Sequence, residues 1–541
     1  MTSAPKKRLR HRIPVRLRHY WKLVAGTIAF VAVLAGVFGT GMIRPYSSSA
    51  AQAEPVVVTE DIAGTKDLFD TTVAHDVKID YSEANYQKML KEYFDSGEKD
   101  YIPATVTIDG TRIDNVGIRL KGNSTLSSLT WNGQRRESGI GGGNRPGGGQ
   151  PPQGMQLPQG AGQGQPGGQA GGQPGGQAGG MMGGAMNVDL KAEEPENLPW
   201  LINFDEYVEG RRYQGHTQIS VRPGTSESGA QLNESLAISM VDASGEPAQR
   251  YTYSGVTVND RESAPRLLVE YLDEGYADDL GNGVLYKSLA TGQFSYQGDD
   301  QTEYTDDFKQ INEVGGTDLQ PVIDLIKWVE QSSDQEFANG LAQRLDVESF
   351  AKYLALQNIV MNFDDISGPG KNYYLWYDED TKKFKVISWD MNLAFSGDAD
   401  AGPHDTQSMS AMMGGRGQQA GQAQGGQGQP GQAQAGMQLP QGMQPPDGAQ
   451  GGGMGGLSGN KLKERFLASD AFKGVYEKAY REVYQDVLAG GHAEDTLNKI
   501  VASYKLNANP KSSVDSEADT LRKTLQQRNT ALANDEVVRG S

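Results

Sequence analysis

The sequence predicts an α+β protein of two lobes, the first rich in sheet and the second helical, and three observations point to it. Between residues 68 and 125, and again between 201 and 271, apolar side chains alternate with polar ones as half-buried strands require. After Asp318 the spacing becomes helical, with Pro321, Val322, Leu325, Ile326 and Val329 on one face. Two Gly/Gln/Pro tracts interrupt the periodic regions and contribute no periodic apolar residues of their own.

Residues 1–22 are a basic head containing Lys6, Lys7, Arg8, Arg10, Arg12, Arg16, Arg18 and Lys22. The run 23–43 carries no charge and is long enough to cross a bilayer. The positive-inside rule puts the head in the cytoplasm and the body outside, so a single-pass signal anchor in the cell membrane is expected. Cleavage near Ala53, where Ala51-Gln52-Ala53 offers the small residues a signal peptidase requires, is the alternative and would secrete the body. Residues 44–66 read as a linker.

The sheet-rich lobe spans 67–275. Strands are expected at 73–79, 104–108 and 116–120, with a short helix at 86–94 and a turn at Asp109-Gly110. After an insert at 132–186, strands follow at 201–204, 218–222, 255–258 and 266–271, with a helix at 233–241. A connecting segment at 271–286 leads to the helical lobe, 276–400. There Asp318 and Asp346 are the expected N-caps of two helices, the second carrying Val347, Phe350 and Leu354 on one face. A hairpin follows, with Tyr373, Leu375 and Tyr377 going out, a polar turn at 378–381, and Phe384, Val386 and Ile387 returning. A second insert occupies 401–456. Helices fill 457–541, with Phe466, Phe472, Val475, Tyr476, Tyr480, Val483 and Tyr484 at helical spacing. The inserts share the phrase GMQLPQG, at 154–160 and 436–442, and their composition predicts disordered loops.

Composition narrows the function. A net charge of −18 argues against nucleic acid as a partner. With no cysteine there are neither disulfides nor thiolate metal sites, so a divalent metal would be held by oxygen, which suits Mg, Mn or Ca. None of the 6 histidines has a matching set of partners, which speaks against Ser-His-Asp hydrolysis and His-zinc sites, and no Walker A string occurs.

The chemistry concentrates in NFDDISGPGKNYYLWYDEDTKKFKVISWDMNLAF, residues 362–395. Phosphoryl transfer needs one carboxylate to orient a hydroxyl, and an amide with a second carboxylate to hold divalent cations; Asp364, Asn372 and Asp390 have those types in that order. Protein kinases use the same sequence of parts. Here the first gap is stretched by Ser367-Gly368-Pro369-Gly370, no His-Arg-Asp precedes it, and Trp389-Asp390-Met391 stands in place of Asp-Phe-Gly. A polar loop followed by a surface hairpin with an N-capping Asp is the plain alternative. Arg119 and Lys121 lie on one face of a strand and could run along a polyphosphate, or simply face solvent. Glu234 could pair with a nucleotide-binding cation, and the segment around Glu270 could serve as a hinge whose backbone holds an adenine ring.

Taken together, VGIRLKGNSTL, LINFDEYVEGRRYQGHTQISVRP, LNESLA, RLLVEYLDE, GVLYK and the 362–395 stretch resemble the CotH family, the spore-coat-protein-H type of atypical secreted protein kinases. The resemblance covers 68–395 without the first insert and, weakly, the C-terminal helices. It implies a protein-kinase-like fold and transfer of the ATP γ-phosphoryl group to Ser or Thr of an extracytoplasmic or coat protein, with Mg or Mn. By position Asp364 resembles the catalytic Asp, with Asp365 as its competitor, and Asn372 and Asp390 resemble the metal ligands. Arg119 and Lys121 resemble the basic strand near the phosphates, with Glu234 and Glu270 as softer matches. Family members often carry Lys where this chain has Asn203, so the resemblance implies either that Lys121 or Lys287 substitutes for it or that the chain is a pseudokinase. The rival readings are a noncatalytic cell-envelope or spore-coat assembly protein, and a calcium-stabilised domain using Asp364, Asp365 and Asp390.

Overall fold

The computed structural model describes residues 57–122, 125–136, 190–224, 230–312, 317–407, 459–507 and 514–540. The basic head, the run 23–43 and most of both Gly/Gln tracts lie outside them, and with them the expected span, cleavage site and loop character. No helix among the described residues is long and apolar enough to cross a membrane.

In the first half of the chain come β1 (Glu60–Ile62), β2 (Asp76–Tyr81), α1 (Glu83–Asp95), β3 (Ile102–Ile108), β4 (Thr111–Leu120), β5 (Thr130–Trp131), β6 (Gln134–Arg135), β7 (Trp200–Asn203), β8 (Arg211–Tyr213) and β9 (Gln218–Val221). Then follow α2 (Leu232–Ala243), β10 (Tyr251–Val258), β11 (Ala264–Glu270) and α3 (Glu274–Leu280). Seven strands close into a barrel in the order β10-β11-β9-β7-β4-β3-β2, sealed by parallel pairing of β2 with β10. Closure leaves no edge exposed to a wandering strand. The expectation of a sheet is met, and its closure goes beyond what local alternation carries. The β3–β4 hairpin turns on Asp109 and Gly110, both with positive φ, as a two-residue primed turn needs.

Two segments correct the expected boundaries. Residues 57–66 are not all linker, because β1 pairs in parallel with β8. The first insert begins later than 132, because Asn132 and Gly133, again both with positive φ, turn the β5–β6 hairpin.

The second half contains β12 (Gly283–Ser288), β13 (Phe308–Gln310), α4 (Gln320–Gln331), α5 (Asp334–Gly340), α6 (Val347–Ile359), β14 (Tyr373–Asp378) and β15 (Lys383–Ser388). After the second insert come α7 (Lys461–Ala468), α8 (Asp470–Val487), α9 (His492–Asn507), α10 (Asp515–Ala533) and α11 (Glu536–Arg539). Strands β13-β12-β14-β15 form an antiparallel sheet in which Tyr373 faces Ser388 and Asp378 faces Lys383, so the expected hairpin forms with its turn at 379–382, one residue later than 378–381. Its turn is fastened by Asp378 Oδ1, which accepts from the backbone N–H of Asp380 at 2.9 Å and of Thr381 at 2.7 Å. Asp346 caps α6 as expected, accepting from Ser349 N–H. Asp318 does not cap α4: the N-cap is Leu319, and the Asp318 carboxylate accepts from Gln320 N–H just inside the helix.

Strand alternation on β10 and β11 lets one ribbon serve two cores. Val256, Val258 and Leu268 fill the barrel, while Tyr253, Leu267 and Val269 join the cluster built from α2, α4, α6 and the C-terminal helices. Helix α2, though it lies between barrel strands in sequence, packs on α9 and α10. A third cluster of Leu272, Tyr276, Leu285, Tyr374 and Trp389 sits under the connecting segment. Asp273 ties that segment to the barrel, accepting from the N–H groups of Thr217 and Gln218 at 2.8 Å each while capping α3.

Candidate functional site

The loop that leaves α6 carries Asp364, which is 6% exposed. Gln357 on α6 steadies it: its amide donates to Ser388 Oγ at 3.0 Å, and its carbonyl accepts from Asn362 at 2.8 Å. The Asp364 carboxylate accepts from Gly370 N–H at 2.6 Å and from the Asn372 amide at 2.9 Å. Burial pushes its pKa up to about 6; the Gly370 hydrogen bond opposes that rise, and the charges of Asp390 and Asp365 add to it. The Ser-Gly-Pro-Gly insertion is what makes this cradle. A Cβ on Gly368 would lie 2.3 Å from Asp364 Cα, and one on Gly370 would lie 2.5 Å from its Oδ2. Asp365, the competing base, points elsewhere: its carboxylate pairs with Lys463 of α7 and accepts from Ser367 N–H at 2.8 Å.

The β14–β15 register delivers Trp389-Asp390 beside Lys371-Asn372. Asp390 has a left-handed backbone, φ 51°, as do Met361, Lys371 and Phe395 on the neighbouring segments. Such strain on non-glycine residues persists only where the surroundings enforce it, and it collects at functional sites. Arg222, just past β9, donates from one nitrogen, Nη2, both to Glu234 of α2 and to Asp390 Oδ1, the latter at 2.9 Å. Glu234 is fully buried, whereas 27% of the Asp390 side chain is exposed. Burial works to raise the Asp390 pKa, yet Arg222, Lys121 and Lys287 together hold it below the usual carboxylate range. Glu234 goes the other way, burial keeping its pKa raised in spite of Arg222.

Cations crowd the same place. Burial, reinforced by the charge of Arg222, lowers Lys121 to about 7, and its ammonium lies 5.3 Å from the centre of the Trp389 ring. Lys287 sits 5.4 Å from that ring and donates to the Tyr271 hydroxyl at 3.2 Å. Arg119 stacks over Tyr101 at 5.1 Å. Lys99, from the loop before β3, donates to Gly122 C=O at 3.0 Å and is lowered to about 8 by burial and by the charges of Arg119 and Lys287.

The structure therefore joins Asp364 to Asn372 directly and draws Asp390, Lys121, Glu234 and Lys287 into one electrostatic group. Arg119 adjoins that group through Lys99 and Tyr271. Glu270 stands apart. Its carboxylate accepts from Arg250 Nη2 at 2.9 Å beside His216, while its backbone N–H donates to Arg250 C=O at 2.9 Å and its C=O accepts from the Gln249 amide at 2.8 Å. Asn203, in β7, donates to Glu206 at 3.2 Å. Sequence reasoning passes over Arg222 and Lys99. Arg222 ends an apolar strand and gives no sign of its burial, and Lys99 stands in an unremarkable Glu-Lys-Asp loop.

Among the described residues no group of three or more His, Asp or Glu could hold a metal by itself. Asn372 with Asp390 offers few oxygens, so a divalent cation there would complete its shell with phosphate oxygens and water, as Mg and Mn do. A structural calcium site would ask for about six to eight oxygens, and Asp365 is already paired with Lys463. The donor set fits a cation shared with phosphates.

Among curated proteins, none matches the chain. A family model described as CotH kinase protein matches residues 190–534. The match starts after the first insert and runs through α10, so it takes in the C-terminal helices more fully than the motifs suggest and leaves out the first barrel strands. It spans both halves of the group just described, Arg222 and Glu234 as well as Asp364, Asn372 and Asp390, and well over half of the 541 residues. On that extent the chain belongs to the CotH kinase protein family.

Proposed function

We propose that this chain is a protein kinase of the CotH type, with a kinase-like pair of lobes, which transfers the ATP γ-phosphoryl group to Ser or Thr of an extracytoplasmic or coat protein. The observation that carries the reading is the Asp364–Asn372 contact at 2.9 Å, set beside Asp390 with Lys121 and Lys287 opposite. Asp364, with a pKa near 6, is ionised at neutral pH yet basic enough to orient the acceptor hydroxyl and take its proton as the oxygen–phosphorus bond forms and ADP leaves. Lys121, Lys287 and Arg119 hold the phosphates, and the Trp389 cluster beneath them keeps the site's floor dry. A bound Mg or Mn, held through Asn372 and Asp390, would supply neutralisation of the phosphate charge. The run 23–43 would anchor the protein with this body outside the membrane.

The noncatalytic reading, a cell-envelope or spore-coat assembly protein, is favoured by one observation: Arg222 already occupies Asp390. The two readings separate with labelled ATP and Mn²⁺. Protein from Ala53 onward should label an acceptor, or itself, and Asp364→Ala and Asp390→Ala should each lose the label by roughly two orders of magnitude or more. The rate should fall as pH drops through about 6. Equal labelling by all three proteins, or none by the unaltered one, moves the assignment to the assembly protein.

A further inference from the structure

Arg222 has more hydrogen-bonding capacity than its two acids use. A guanidinium carries five N–H donors in a fixed fork. Here one nitrogen, Nη2, serves Glu234 and Asp390 together, while Nε is buried without a partner, as is Glu234 Oε2. A structural Arg–carboxylate pair normally spreads two parallel bonds over two nitrogens. Sharing one nitrogen between two carboxylates leaves both bonds short of that geometry, and a buried donor without an acceptor carries a penalty.

The acids differ in how easily they can be given up. Glu234 is fully buried on α2 and, among the described residues, has no other cation in hydrogen-bond contact, whereas Asp390 keeps 27% of its side chain exposed and has Lys121 and Lys287 nearby.

We infer that Arg222 is a phosphate-binding cation of this site and that it guards Asp390 until a metal–nucleotide complex arrives. Glu234 keeps the guanidinium in place throughout. When nucleotide binds, Arg222 gives up Asp390 and turns its spare donors to phosphate oxygens, and the freed Asp390 carboxylate becomes available to the divalent cation. The inference rests on the kinase reading above, and it makes the Arg222–Asp390 bond part of the catalytic arrangement rather than evidence against catalysis.

Two binding measurements test it without any turnover. Calorimetry with Mg²⁺ and a non-hydrolysable ATP analogue should show Arg222→Met binding the nucleotide at least tenfold more weakly than the unaltered protein, with Arg222→Lys in between. Titration with Mn²⁺ alone should show the opposite sign, Arg222→Met binding the ion several-fold more tightly because Asp390 has lost its competitor. The double variant Arg222→Met/Glu234→Gln, which leaves no unpaired buried charge, should give the same two results and covers the case in which the single variant does not fold. Nucleotide affinity unchanged in these variants, or Mn²⁺ affinity unchanged or weakened, overturns the inference while leaving the kinase reading intact. An unaltered protein that binds no nucleotide overturns both.

Discussion

The barrel half and the helical half bring opposite charges to one site. From the barrel half come Lys99, Arg119, Lys121 and Arg222; from the helical half come Asp364, Asn372 and Asp390, while Glu234 of α2, Lys287 of β12 and Lys371 cross the pattern. One member of each set is held out of its ordinary state. Burial and mutual repulsion lower Lys99 to about 8, and burial raises Asp364 to about 6. Crowded cations on one side and a reluctant carboxylate on the other are what a triphosphate and its metal would relieve. A purely structural interface would gain more by pairing its charges and leaving none strained.

Three changes break or sharpen this contrast, the largest first. Gly370→Ala acts on the helical side alone, since the added carbon would fall 2.5 Å from Asp364 Oδ2 and 2.9 Å from Asn372 Nδ2. Phosphate transfer should drop by roughly a hundredfold with nucleotide affinity changed less than about threefold, because misplacing a catalytic group by about an ångström costs that much. Calorimetry beside the labelling assay separates the two numbers, and an equal loss in both would show that the loop also shapes the nucleotide pocket.

Lys99 tests the barrel side. Its folded-state pKa lies below the unfolded value, so the charged form is penalised in the fold: below about pH 8 the penalty is complete, and it fades as pH rises toward the unfolded pKa. Stability should therefore gain slightly from Lys99 between about pH 8 and 10. Nucleotide affinity should decline severalfold over the same range as the ammonium loses its proton. In Lys99→Arg both trends should flatten, and a decline that persists in that variant would assign the titration to another group.

The smallest effect lies away from the site. Asp346→Ala removes a true N-cap of α6 and should lower stability by about 1 kcal/mol in a urea melt, whereas Asp318→Ala should cost about half that or less, its carboxylate meeting α4 only at Gln320 N–H. Equal losses would mean that the loop before α4, and not the helix end, is what Asp318 supports.

Asp364, Asn372 and Asp390 are legible in the sequence because a hairpin of fixed register lies between the last two, and a turn rich in Asp and Thr fixes where it bends. Strands and helices with clean period 2 or 3.6 are legible for the same reason. What escapes is contact across distance. Arg222 meets Asp390 168 residues away, and Asp365 meets Lys463 98 residues away; neither local composition nor periodicity records such pairs. Glu270 shows the converse, since a carboxylate in a suggestive segment is drawn to Arg250 by the sheet's own pairing. The Asn132-Gly133 hairpin could have been read locally, but it is masked by its place at the head of a Gly/Gln tract.

The parallel seam between β2 and β10 has a consequence for how the protein is made. Its far end is fastened by Tyr81 N–H to Asn259 Oδ1, across 178 residues of chain, and a low-complexity tract lies within that interval. At a synthesis rate of roughly 5–20 residues per second the first barrel strand waits about 10 seconds or more for its partner to emerge. During that wait it has a bare edge, open to stray pairing. Delivery of the nascent chain, and any chaperone that meets it, must therefore cover that interval, and truncations upstream of Tyr251 should aggregate rather than fold.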